Sequence, residues 1–178
     1  IPNSSSLDIT GSFTLEAWIN PANMTGAKGI ISKGGVLGTN LKYALRLFNG
    51  RILMATNGAQ RIITKTSTSI PLNEWTHIAL VWDKSGIDGT GDTVRLYVNG
   101  AEIGAIQSSS WGTDFNGNHA DIAGGQDFMA NRFALDNLVI YSDAKTDFSD
   151  RFNENPTTSI PEPETYAMLL AGLGLLGF

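Results

Sequence analysis

The chain has no cysteine, only two histidines, and fewer basic than acidic side chains, 12 against 17. Without thiols there can be neither disulfides nor thiolate metal sites, and the redox compartment leaves no trace in the sequence. A net charge of −5 gives little pull toward DNA, RNA or an anionic membrane surface, so nucleic acid is set aside as a partner. Glutamate is sparse as well: the body of the chain holds Glu16, Glu74 and Glu102, far apart. A glycosidase needs two carboxylates flanking its sugar, about 5 to 10 Å apart. His77 falls in a β-type run and His119 in a loop, with no Ser or Asp placed to argue a triad. The chain is therefore read as non-enzymatic. A long apolar run is also missing. The continuous stretch Tyr166 to Phe178 falls short of the about 20 residues that a bilayer span needs.

What is present is β-pattern. Thr76, Ile78, Leu80 and Trp82 alternate with Trp75, His77, Ala79 and Val81, which predicts a strand apolar on both faces and central in its sheet. Val94, Leu96 and Val98 alternate with Arg95, Tyr97 and Asn99, which predicts an antiparallel neighbour with one face in the core and one in solvent. The intervening DKSGIDGTGDT has no apolar period and reads as a surface connection of adjustable length. FTLEAWINP predicts a strand ended by Pro21, with Phe13, Leu15, Ala17 and Ile19 on one face and Thr14, Glu16, Trp18 and Asn20 on the other. Glu16 beside Trp18 could face a ligand, but a carboxylate hydrogen-bonded for structural reasons is the weightier reading. Asn49-Gly50, Asn57-Gly58 and Asn99-Gly100 each supply the two positive-φ positions of a type I′ hairpin turn. Short strands are also expected at GIISKGG, Ala120 to Ala123 and Leu135 to Tyr141, and no sustained helical period precedes residue 142. The fold class is all-β, a sandwich or barrel.

Function is expected in the loops at 83–93 and 111–132. Trp111, Asp114, Asn118 and Asp127 are the candidate ligand-binding residues. Trp111 is as well suited to anchoring its loop on the sheet edge as to stacking on a sugar ring. Asp88, Asp92 and Asp121 are the candidate metal ligands, with calcium as the one cofactor considered. A hard cation would take about six to eight oxygens, and solvated loop carboxylates are the competing account. After Phe152 the composition turns to Pro, Thr and Ser, an extended linker over 153–163, followed by the apolar segment 164–178. That segment has no polar face, so it is expected to be a helix outside the domain, cut short at Phe178. Residue 1 is likewise taken as a cut end, since no leader precedes Ile1.

FTLEAWINP, GIISKGG, LNEWTHIALVWD, VRLYVNGAEIG and LDNLVIYSDAKT, in that order, resemble the laminin-G-like domains of the concanavalin A-like superfamily over nearly all of residues 1–152. The resemblance implies an antiparallel jelly-roll β-sandwich with edge loops available for glycan, protein or calcium. Glucanases of that architecture set several acids in an E-x-D-x-x-E alternation on one strand, which this chain lacks. Phe133 stands where the family commonly has Gly, and Asn137 where it commonly has Glu. Such domains usually begin with one more strand, so an open sheet edge is expected at Leu135 to Tyr141 or at its neighbour. IPEPETYAMLLAGLGLLGF resembles the PEP-CTERM sorting signal of Gram-negative bacteria, with Pro161, Glu162 and Pro163 as the motif; the basic cluster that ends such signals is absent. This second resemblance implies an exported protein of the cell envelope or extracellular space, held transiently in the inner membrane and processed by an exosortase. The combined reading is a cell-surface or matrix adhesion and recognition module that binds a glycan or another matrix polymer, with a structural surface protein without a small ligand as the first alternative and a glycosidase-like enzyme as the second.

Overall fold

The computed structural model describes residues 4–9, 11–34, 41–56, 59–62, 70–107, 120–122, 133–154 and 156. The tail helix expected over 164–178 lies outside these residues, and no described helix is long and apolar enough to cross a membrane. Among the described residues ten strands run in chain order: β1 (Phe13–Pro21), β2 (Ala27–Gly34), β3 (Leu41–Phe48), β4 (Arg51–Thr56), β5 (Ala59–Ile62), β6 (Thr76–Trp82), β7 (Val94–Val98), β8 (Ala101–Ile106), β9 (Ala120–Ile122) and β10 (Phe133–Tyr141). They form two five-stranded sheets, ordered β10-β1-β6-β7-β8 and β5-β4-β3-β2-β9, with every pairing antiparallel. The architecture is an antiparallel jelly-roll β-sandwich.

Alternation in the sequence builds the core between the sheets. Phe13, Leu15, Ala17 and Ile19 of β1, Ile78, Leu80 and Trp82 of β6, and Val94 and Leu96 of β7 meet Ile30, Ile31, Tyr43, Leu45, Leu47 and Ile52 of the second sheet in one apolar cluster. Phe13 stacks on Trp82 with ring centroids 5.4 Å apart, and it also meets the Tyr43 ring at 5.4 Å. Asn49 (φ 47°) with Gly50 (φ 79°), and Asn99 (φ 48°) with Gly100 (φ 74°), take the positive φ that their hairpins require. Thr56 pairs with Ala59 across the third expected turn, while Asn57 and Gly58 lie outside the described residues.

β6 is central and fully buried, as its two apolar faces require. Its partner β7 departs from expectation: Tyr97 is buried and Arg95 nearly so, because the outer face of this sheet is covered rather than solvated. The cover comes from two places. One is the 83–93 connection, whose Ile87 is completely buried with Ala79, Val81, Tyr97 and Phe148 in a second apolar cluster, so this connection does touch a core. The other is residues 142–154, which leave β10, turn back across β1 and β6, and finish in a 3-10 turn over Ser149–Glu154. This strap carries the folded region past residue 152.

β10 lies at the end of its sheet and, among the described residues, pairs only with β1. Its alternation is interrupted at Asn137 (φ 47°), where the register against β1 shifts between Glu16 and Trp18. This β-bulge lets Phe133 and Leu135 before it, and Leu138 and Ile140 after it, all pack on the core. Asn is the side chain best suited to that left-handed position after Gly.

Gly100 joins the β7–β8 hairpin to the strap, since a Cβ built on it would meet the Phe152 ring 3.0 Å away. Gly100→Ala, at a positive φ, is expected to cost about 1–3 kcal/mol by backbone strain and displacement of the ring. Urea midpoints at neutral pH test this, and an unchanged midpoint would refute it.

Candidate functional site

Two polar clusters stand out on the outer face of the first sheet. The first is centred on Glu16, whose side chain is 0% exposed on β1. Arg151 Nε of the strap lies 2.7 Å from Glu16 Oε1, Lys145 Nζ lies 3.8 Å from Oε2, and the Tyr141 hydroxyl donates to Oε1 at 3.0 Å. His77 Nε2 stands 3.4 Å from Oε2, too poorly aligned to make a well-formed hydrogen bond. Burial pushes the Glu16 carboxyl up, but the His77 contact, the Arg151 charge, the Tyr141 hydroxyl and the Lys145 charge outweigh it and hold the group below its ordinary value. The cations are themselves tied outward. Lys145 donates to both oxygens of Asp150 at 2.9 Å, and Arg151 pairs with Glu154. Arg151 Nη2 also donates to the Asn137 carbonyl at 3.0 Å, so the bulge in β10 aims a backbone acceptor at the strap. Trp18, 1% exposed, packs edge-on to His77 and Phe152. Glu16 and Trp18 are therefore roofed by the strap, and the structural reading of this pair holds over a ligand-facing one.

The second cluster is centred on Arg95 of β7. Its Nη1 donates to Asp88 Oδ2 at 3.0 Å, its Nη2 to Thr90 Oγ1 at 3.1 Å and Asp92 Oδ2 at 3.3 Å, and Glu102 Oε2 of β8 lies 3.6 Å from its Nε. The loop is held in shape beneath the guanidinium. Ile87 N donates to Asp92 O at 2.8 Å, and Thr90 Oγ1 donates to Ile87 O at 2.7 Å. Gly86 (φ 102°) cannot be replaced without a clash, because an added Cβ would sit 2.1 Å from Thr90 O.

Of the residues singled out in the sequence, Asp88 and Asp92 are thus brought together, on a cation the chain supplies itself. Asp121 lies in β9 of the other sheet, opposite Ser32. Among the described residues no group of three or more His, Cys, Asp or Glu could hold a metal ion. Trp111, Asp114, Asn118 and Asp127, with His119 and the motif residues Pro161, Glu162 and Pro163, lie outside the described residues. Sequence reading missed Arg95, Lys145 and Arg151 as organising residues. The available signal was three cations, each within a few positions of Asp or Glu, in a chain poor in basic residues.

Residues 1–148 match the family described as the concanavalin A-like lectin/glucanases superfamily, and residues 159–178 match the PEP-CTERM protein-sorting motif. No curated protein sequence matches the chain. Among solved structures, a SAP-like pentraxin from Limulus polyphemus superposes with a TM-score of 0.60 at 18% identity, over 79% of this chain and 68% of that one. A putative carbohydrate binding protein from Bacteroides ovatus gives 0.57 at 25% identity, over 77% of this chain and 39% of that one. A botulinum neurotoxin type C structure, described by the dependence of cell entry on two ganglioside molecules, gives 0.56 at 13% identity, over 81% and 36%. The chain therefore spans about two fifths of the length of the latter two proteins. At 18% and 13% identity the likeness to the pentraxin and the toxin is one of fold alone.

Two outcomes are expected from these clusters. A carboxyl whose folded-state pKa is depressed contributes stability that is complete above its unfolded value and lost as pH falls through the folded value. For Glu16 the loss begins below the ordinary 4.5, so urea midpoints should fall as pH is lowered from 5 toward 3, and Glu16→Gln should flatten that slope. Equal slopes in the two proteins would contradict the assignment. Arg95→Ala, in turn, leaves Asp88, Asp92 and Glu102 without their cation, so the Tm of this variant should fall by a few degrees below that of the unaltered chain. An unchanged Tm would refute the role of the guanidinium in holding the loop.

Proposed function

Since the chain belongs to the concanavalin A-like lectin/glucanase superfamily and ends in a PEP-CTERM sorting motif, we propose that it is an exported, non-enzymatic module that binds carbohydrate at the surface of a Gram-negative bacterium. The observation that carries this reading is the likeness to the Bacteroides ovatus protein described as carbohydrate binding, at 25% identity over 77% of this chain. The disposition of acids favours binding over hydrolysis. Glu16 is sealed beneath the strap, Glu102 faces Arg95, and Glu74 is exposed just before β6, so these three do not converge on one cleft. The partner is a glycan or exopolysaccharide of the matrix, met by the 111–132 loop with Trp111, Asp114, Asn118 and Asp127 and by the 83–93 loop. The tail engages the inner membrane until an exosortase processes it near Pro161–Pro163, and the domain then stays in the envelope or its surroundings.

A glycan array and an exopolysaccharide pull-down with the full chain test the binding step. Retention is expected, and Trp111→Ala should weaken it by about tenfold, in line with the loss of one aromatic anchor. A chain that retains no glycan, or that releases reducing sugar from one, would overturn the reading. For sorting, deleting residues 161–178 in the producing cell should send the domain into the medium with its β-rich circular dichroism intact; an undiminished surface level would count against the tail's role.

A further inference from the structure

The strap is placed to do more than cover a sheet. It follows the last strand, contributes to no strand itself, and lies on the outer face of the first sheet, so the sheet separates it from the main core. Its attachments among the described residues are of two kinds. Phe148, with Ala144 beside it, fills the second apolar cluster against Ala79, Val81, Ile87 and Tyr97, and Phe152 packs edge-on to Trp18 and against Gly100. Polar contacts do the rest: Thr14 Oγ1 donates to Asp143 O at 2.8 Å and accepts from Lys145 N at 2.9 Å, while Glu16 draws in Lys145 and Arg151. A segment with few backbone hydrogen bonds to the body belongs to the low-stability end of local opening.

We propose that residues 142–154 form a clasp, closed by the single buried carboxylate of Glu16, that opens as a unit while the sandwich stays folded, and that its state sets how far the domain stands from its sorting motif. The consequence for reach follows from chain length. With the clasp closed, the tether runs from Glu154 to Pro161 and extends at most about 25 Å; with it open, the tether starts at Tyr141 and extends to about 70 Å. Only this consequence rests on the sorting reading, whereas the clasp itself stands on the contacts of Glu16, Thr14 and Phe148. Opening parts Glu16 from Arg151 and Lys145 and leaves His77 of β6 and Tyr141 of β10 as its neighbours, whereas a closed strap over a neutral Glu16 would hold those two cations unmatched, and this is why the closed state is favoured while Glu16 is charged.

The absence of cysteine makes a test by thiol labelling clean, because any introduced thiol is unique. In the full chain in mild detergent at neutral pH, Ala144→Cys reports on the clasp and Ala17→Cys on the main core. Adding Glu16→Gln is expected to raise the labelling rate at position 144 by about tenfold and at position 17 by no more than about twofold. Should Glu16→Gln fail to fold by circular dichroism, Arg151→Gln is measured in the same way with the same expectation. An unchanged rate at 144, an equal rise at both positions, or failure of both substitutions to fold would overturn the proposal, the last two because strap and sandwich would then be one cooperative unit. None of these outcomes depends on whether the tail is sorted or the loops bind glycan.

Discussion

A carboxylate with no exposure stays ionised only if cations and donors are brought to it, and on the outer face of this sandwich that condition dictates where the chain goes after its last strand. Glu16 is placed by β1, whose odd-numbered side chains are committed to the core, so its own side chain must point away from that core. Sealing it there without a partner would cost several kcal/mol. The chain meets the demand from β10 with Tyr141, and then with Lys145 and Arg151 as the strap crosses back. Because Phe148 lies between those two cations, their arrival also lays an aromatic ring over Tyr97, with centroids 4.9 Å apart. The third layer thus follows from the one acid of this strand.

That dependence explains what was and was not legible from sequence. Period-two alternation marks the core face of β1, β6 and β7 directly, and Asn-Gly marks the hairpins, because both are local rules. The burial of Tyr97 and Arg95 was not legible, since it is caused by Ile87 and Phe148, which are separated from them in the chain and lie in stretches with no apolar period. The bulge at Asn137 was hidden for a related reason. A single alternation cannot place both Leu135 and Leu138 inward, and only the left-handed backbone at the Asn between them resolves the conflict. The candidate ligand residues were legible only as a polar stretch in a long loop, a signal that points to function without specifying geometry.

The three polar clusters of the described fold share one construction. The N-terminal segment is fastened by the Lys33–Asp8 ion pair and by Ile9 in the main core, and burial with the nearby Asp8 carboxylate pushes the Tyr43 hydroxyl up to about 12. The 83–93 connection is fastened by Arg95 with Asp88 and Asp92, and by Ile87. The strap is fastened by Arg151 with Glu16, and by Phe148. In each case a stretch outside the strand ladders is held by ion pairing together with apolar anchoring.

The division of labour between the two kinds of fastening follows from their physics. An apolar side chain gains by leaving water and is nearly indifferent to its angle of entry, so Ile87 or Phe148 alone would hold its segment against the sheet without fixing how it lies. A buried ion pair contributes little net stability, but it penalises every arrangement that leaves a charge unmatched, and so it selects one placement among many. A scaffold that carries loops needs that selection, because loops can be exchanged only if the framework around them stays in place. The same reasoning limits where change is tolerated. A substitution at an anchor lowers stability in proportion to the area it exposes, whereas a substitution at Glu16 or Arg95 strands the partner charges and alters the path of a whole segment.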